Sequence, residues 1–291
     1  MHRDLKILII EGNTAEGNAA MAAAGLSTNG EQYAEAVRLY APEADIHFAF
    51  PADTSNALPN GVALGDFHGV IIGGSGLRIR GAGNAPEVQS QVDLLRAAFD
   101  AGLPVLGSCW GLQVAAVSAG GDVGPSPRGR EVGICRQVTL NAMGKDALMY
   151  RGKPVHFDSL ALHYDEVISL PAGARVLASN AHSNIQAATF DVGAGVFWGV
   201  QYHPEFTLTH MAGLIRRYAT DMVTEGIFKN SSDLMRSTEA MLHLDGMPDP
   251  APAGTSDAAR ELGVGSSFFD PRNRCLEIDN WLHFCASDAE G

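Results

Sequence analysis

Short apolar runs at residues 5–10, 45–50, 69–72 and 104–106 alternate with helix-patterned stretches as far as Gly121. Residues 32–40 have helical spacing, and within residues 86–101 Val88, Val92, Leu95 and Phe99 fall on one stripe. Residues 112–119 read as a helix of small residues ended by Gly120-Gly121. This repetition leaves few architectures open. Parallel strands need crossover connections, and the helices supply them while covering both faces of the sheet. The chain is therefore expected to be α/β, with a mostly parallel sheet at its centre.

Beyond Gly121 the rhythm changes. Residues 132–140, 154–157, 175–178, 186–190 and 196–202 are β-like with few helices between them, which suggests antiparallel strands added to one side of the sheet. One helix is expected over residues 208–224, with Met211, Leu214, Ile215, Tyr218 and Met222 on its apolar stripe. From about Lys229 the character shifts again. A helix over 231–244, a Pro-rich arm over 247–254, and short helices over 256–262 and 275–284 are expected there. The expected division is thus one domain over residues 1–228 and a mostly helical acidic extension over 229–291.

Charge and cysteine usage exclude several classes. The 291 residues carry 33 acidic and 20 basic side chains, a net charge of −13, which argues against a nucleic-acid partner. From Ser231 onward there are eleven acidic and four basic residues, so more than half of that net charge lies in the extension. No apolar run approaches the ~20 residues of a spanning helix, and no cleavage site follows the first apolar run. Neither a membrane protein nor a secreted one is expected. The four cysteines form no C-x-x-C pair and are too sparse for a disulfide framework, so reduced thiols and a cytoplasmic location are expected. No His/Cys/Asp cluster has metal-ligand spacing, and neither metal nor cofactor is expected.

One cysteine sits in a chemical setting. In Val105-Leu106-Gly107-Ser108-Cys109-Trp110-Gly111 an apolar strand runs into Gly-x-Cys-x-Gly, and a helix opens after it. This is the cysteine counterpart of the nucleophile elbow: glycines permit the tight turn, and the helix N-terminus favours negative charge on the sulfur. An inert core cysteine beside a Gly-rich turn would fit the same residues. A thiolate needs a base, and His203-Pro204-Glu205 offers a histidine with a carboxylate two residues on, facing the same side of an extended segment. The third piece is Gly73-Gly74-Ser75-Gly76 at a strand end, where backbone N–H groups, with that of Trp110, can face a developing oxyanion. It is neither a P-loop nor a dinucleotide fingerprint, because the required Lys-Ser/Thr and glycine spacing are missing.

In this order and spacing, the segments 73–75, 104–113, 157–167 and 198–206 resemble the class I (triad-type) glutamine amidotransferases, over residues 5 to about 228. The resemblance implies a flavodoxin-like open sheet. It implies Cys109 as nucleophile, His203 as base and Glu205 as the residue that orients the base. Gly74 and Ser75 fall where the family builds its oxyanion hole, and Gln113 at a position that helps hold glutamine. His163 and Asp165 match a His-x-Asp element near the glutamine pocket, although a solvated turn is the plainer reading of those two. Trp110 stands where the family commonly has smaller or differently shaped residues, so substrate access is expected to differ. Cys135, Cys275 and Cys285 are expected to be structural or surface thiols.

The implied reaction is hydrolysis of the glutamine side-chain amide through a γ-glutamyl thioester, with ammonia passed to a separate synthetase chain. The extension is too short for an ATP-binding fold. A stand-alone γ-glutamyl hydrolase or peptidase with the same triad is the rival reading, and a non-catalytic interaction protein a third. The oligomeric state cannot be read from the sequence.

Overall fold

The computed structural model describes residues 5–53, 58, 59, 61–80, 85–247, 256–265 and 268–288. The chain opens with strand β1 (Lys6–Ile10), helices α1 (Ala15–Ala23) and α2 (Asn29–Tyr40), and strands β2 (Asp45–Ala49) and β3 (Gly69–Ile72). Helix α3 (Pro86–Asp100), strand β4 (Val105–Ser108) and helix α4 (Trp110–Ser118) follow. Strand β1 pairs in parallel with β2 and β3, and β3 with β4. The period of two sends its side chains to opposite faces. Ile7 and Ile9 pack with Tyr33 and Val37 of α2, whereas Leu8 and Ile10 pack with Val92, Leu95 and Phe99 of α3.

The antiparallel part comprises β5 (Asp122–Pro125), β6 (Glu131–Leu140), helix α5 (Ala142–Asp146), β7 (His156–His163), β8 (Asp165–Ser169), β9 (Arg175–Ser179), β10 (Ala187–Val192) and β11 (Gly195–Val200). Among the described residues the main sheet runs β2-β1-β3-β4-β11-β10-β9-β6-β7, and β5 pairs with β8 in a small second sheet. Strand β11 lies parallel to β4, with Val200 opposite Ser108. That pairing delivers the chain after β11 to the same sheet edge as the chain after β4. The expected α/β sheet with antiparallel strands on one side is therefore present.

Several boundaries differ from expectation. Helix α4 starts at Trp110, directly after Cys109, two residues earlier than its apolar pattern suggests. The strand expected at 154–157 continues to His163, held along its length by β6. The single helix expected over 208–224 divides into α6 (Leu208–Arg217) and α7 (Ala219–Thr224), because Tyr218 leaves helical geometry at φ −103° and ψ 25°. Helix α1, an Ala-rich stretch that buries only Met21, carries no amphipathic stripe to announce it; Thr14 caps it by accepting from Gly17 N.

The C-terminal region forms α8 (Ser231–Leu244), α9 (Ser256–Leu262), α10 (Pro271–Arg274) and α11 (Leu276–Asp288). The Pro-rich arm lies, beyond Met247, outside the described residues. Leu234, Met241 and Leu244 of α8 pack with Met211, Leu214 and Ile215 of α6. Ile278, Trp281 and Leu282 of α11 join the sheet face that holds Ile7, Ile9, Ile71 and Leu106. Each such buried side chain contributes roughly 1.5–3 kcal/mol of apolar transfer. Trp281 lies so close to β3 that a Cβ at Gly69 would come within 2.7 Å of its ring.

Candidate active site

Cys109 occupies the turn between β4 and α4 at φ 50° and ψ −101°, a left-handed conformation that non-glycine residues rarely hold. Its N–H donates to Val200 O at 2.8 Å, which extends the β11 pairing by one bond. The glycines on either side are sterically required. A Cβ at Gly111 would stand 2.2 Å from Ile72 O, and one at Gly107 would stand 2.8 Å from Gly111 C and from the Phe197 ring. The thiol is 6% exposed at the floor of a cleft, with Sγ 3.7 Å from Leu162 O.

His203 follows β11, anchored by its N–H to Leu160 O at 2.7 Å. Its Nδ1 donates to Glu205 Oε1 at 2.7 Å, and the Ser108 hydroxyl donates to the same oxygen at 2.9 Å. Cys109 and His203 line the same cleft, and Cys109 is close enough to act electrostatically on the imidazole. The Phe206 ring stacks on the imidazole at 3.9 Å and 3°, and a Cβ at Gly74 would lie 2.8 Å from His203 Cε1. Burial alone would push the imidazole pKa down. The charges of Glu205 and Cys109, and hydrogen bonds to both, outweigh burial and raise it, favouring the imidazolium. His210, buried and repelled by His203, is pushed down to about 4.

The loop after β3 closes over the elbow. Gly73 O accepts from Gly111 N at 3.1 Å, and Gly74 O accepts from Asn29 Nδ2 at 2.9 Å. Ser75 Oγ donates to Gly12 O at 2.9 Å and accepts from Leu77 N at 3.0 Å, so its hydroxyl shapes the loop. Gly76 N donates to Asn13 Oδ1 at 2.8 Å. Trp110 is 1% exposed, with Nε1 donating to Gln91 Oε1 at 2.7 Å while Gln91 in turn donates to Gly12 O. Its indole thus supports the loop rather than projecting across the entrance.

The cleft has a volume of about 440 Å³ and a mixed lining. Met21, Phe206 and Leu214 line it as part of one apolar cluster, with Phe206 stacked on His203. Gln113, His163, Tyr164 and Asp165, with Arg78, Arg130, Arg217 and Asp221, give it polar and charged groups. Gln113 Nε2 donates to Asp165 O at 2.8 Å. His163 and Asp165 are not in a solvated turn. They are 5% and 6% exposed, His163 Nε2 meets Glu131 Oε2 at 2.9 Å, and Asp165 meets Arg80 at 3.4 Å. Burial would raise the Glu131 pKa, but His163, Asn180 and Gln186 hold it down to about 2. Cys135, Cys275 and Cys285 are all buried, which removes the surface reading for them.

Sequence reasoning overlooked Asn13, Asn29, Arg78 and Glu131. Arg78 and Arg80 stand directly after the Gly-rich loop and could have been noticed there. Glu131 carries no local signal. Among the described residues, no group of three or more His, Cys, Asp or Glu side chains could hold a metal, and no helix is long and apolar enough to cross a membrane.

The family model described as "Glutamine amidotransferase class-I" matches residues 29–220. The chain is 34% identical to a γ-glutamyl-L-1-hydroxyisopropylamide hydrolase of a Pseudomonas species, across 96% of this chain and 92% of that protein. It is 38% identical to the GMP synthase of Syntrophomonas wolfei, across 47% of this chain but only 24% of that enzyme. A crystal structure of a glutamine amidotransferase from Thermotoga maritima superposes with a TM-score of 0.63 at 17% identity, covering 98% of this chain and 99% of that one, and so shares the fold. The chain belongs to the class I glutamine amidotransferases.

Proposed function

We propose that this protein hydrolyses a γ-glutamyl amide through a Cys109 γ-glutamyl thioester. Cys109 attacks the γ-carbonyl carbon, and the oxyanion faces backbone N–H groups of the 74–75 loop and Trp110. His203, held as imidazolium by Glu205, gives its proton to the departing amine, then takes one from the water that cleaves the thioester. Gln113, His163 and Asp165 line the cleft with Arg78 and Arg130. Both signs of charge are present there, as the α-ammonium and α-carboxylate of a glutamyl head require.

The observation that carries the choice of substrate is the apolar wall beside His203. The leaving amine departs on the His203 side, where Phe206 stacks on the imidazole and Met21 and Leu214 line the cleft. Ammonia gains nothing from such a wall, whereas a carbon-bearing amine gains about 0.8 kcal/mol for each buried CH₂. The likeness to a γ-glutamyl-L-1-hydroxyisopropylamide hydrolase over 96% of this chain supports a substituted amide as substrate. Such a reaction needs no acceptor chain.

Glutamine hydrolysis with ammonia delivered to a synthetase chain is the second reading, favoured by the partial matches to GMP synthases. Steady-state rates on glutamine and on γ-glutamyl isopropylamide separate the two. The substituted amide is expected to have the higher kcat/KM, by about tenfold or more for two or three buried carbons. Turnover of glutamine alone would favour the second reading, and turnover of neither amide would refute both.

A further inference from the structure

The C-terminal helices grip the segment that carries His203. On one side of the histidine, Tyr202 Oη donates to Glu277 Oε1 at 2.7 Å and pairs with Tyr150 Oη at 2.8 Å. On the other side, Cys275 Sγ donates to Pro204 O at 2.9 Å. Glu277 is anchored in turn: its Oε2 meets Lys153 Nζ at 2.6 Å, and Lys153 also donates to Asn273 O at 3.1 Å and Arg274 O at 2.7 Å, the last carbonyls of α10. Tyr202 and Glu277 are fully buried, and the Lys153 side chain is 2% exposed. Burial pushes the Cys275 thiol up to about 12, so it stays protonated and acts as a donor.

An apolar core of the same shape would be at least as stable as this buried ion pair with its two tyrosine hydroxyls. Polar groups in such a place do something that packing alone does not: they fix direction. The groups they fix are the side chain before His203 and the carbonyl after it.

We propose that the Lys153–Glu277–Tyr202 chain and the Cys275–Pro204 bond form a positioning device by which the C-terminal helices hold His203 in register with Cys109 and Glu205. The inference rests on the reading of His203 as the base. Beyond Cys109 and Glu205, the titratable groups near the imidazole are His210 and Tyr33; the latter senses Glu205. None belongs to the device, so a change in His203 behaviour on Tyr202→Phe or Cys275→Ala, neither of which removes a charge, reports geometry.

The test uses the full chain carrying Tyr202→Phe, Cys275→Ala, Cys275→Ser or Glu277→Gln. Alkylation of Cys109 by iodoacetamide is followed against pH with peptide mapping, alongside kcat, KM and Tm. Tyr202→Phe and Cys275→Ala are expected to slow Cys109 alkylation in mildly acid buffer and to lower kcat about tenfold, with KM unchanged within about twofold. Cys275→Ser, which keeps a donor to Pro204 O, is expected to recover most of the loss. If Glu277→Gln does not fold, Tyr202→Phe alone carries the test, because it removes one hydroxyl and no charge. Folded variants with lower Tm but wild-type kcat and alkylation profile would overturn the positioning role. Wild-type Cys109 that alkylates in acid no faster than a free thiol would instead overturn the reading of His203 as base, and the device with it.

Discussion

Replacing Gly74 by alanine asks whether His203 must stand where it does. The added methyl group would lie 2.8 Å from His203 Cε1, 0.6 Å inside the 3.4 Å at which ordinary contact begins. Gly74 is not in the left-handed region, so its backbone accepts alanine and the clash falls on the imidazole. The ring has little room to yield. Its Nδ1 is held at 2.7 Å by Glu205 and its face at 3.9 Å by Phe206. A shift of about 0.6 Å either stretches the Glu205 bond toward the long end of hydrogen-bonding range or turns the ring away from Cys109. Overpacking of this kind costs about 1–3 kcal/mol of stability. The activity loss expected from displacing a base by over half an ångström is roughly 10- to 100-fold in kcat/KM, or about 1.4–2.7 kcal/mol of transition-state free energy.

The backbone N–H of residue 74 survives the substitution, so an oxyanion donor is not what is lost. The assay is kcat/KM on the preferred γ-glutamyl amide, with a thermal melt to confirm folding. Gly65→Ala, where the new methyl group meets no atom within 4 Å, serves as the control and is expected to be neutral within about 0.5 kcal/mol. Folded Gly74→Ala protein with wild-type kcat/KM would refute the claim that His203 is held to within half an ångström for catalysis.

Other substitutions test other parts of the argument. Gly111→Ala, which drives a Cβ to 2.2 Å from Ile72 O, is expected to cost about 4 kcal/mol or more and to abolish soluble expression; a normal melt would show that the elbow can relax. Lys153→Met leaves the Glu277 charge buried without its partner, and the expected loss is about 3–5 kcal/mol by chemical denaturation, relieved when Glu277→Leu is added. Glu131 is held down to about 2 in the folded chain against 4.5 unfolded, so it adds stability above 4.5 that is lost as pH falls toward 2. That shift corresponds to about 3 kcal/mol, and acid titrations of Glu131→Gln should lack this component of the wild-type slope. His203 has the opposite sign, since its raised pKa contributes stability in acid that fades as pH rises past the usual histidine range.

What the sequence revealed and what it hid divide by the distance over which each feature is encoded. The elbow was legible because its glycines, its cysteine and the helix start are neighbours, and turn chemistry is local. The His203–Glu205 bond was legible for the same reason, being made across two residues. The break at Tyr218 was not, because the apolar stripe continues through it while its backbone alone leaves helical geometry. Glu131 meets His163 across 32 positions, and Arg80 meets Asp165 across a still longer stretch of chain, so no window contains either pair.

The extension makes the point most sharply. Its acid excess leaves open a docking or gating role beside the plainer reading of a cap over an apolar flank, because net charge counts residues without regard to burial. Yet Glu277 is fully buried and meets Lys153 across 124 positions and Tyr202 across 75, while Cys275 meets Pro204 across 71. A count of acids treats Glu277 and an exposed residue such as Asp257 alike, although the first is a fixed part of the core and the second an exposed helix charge. Removing the extension would therefore do more than change net charge. It would strip Tyr202 and Pro204 of their buried partners and open the apolar sheet face under Trp281.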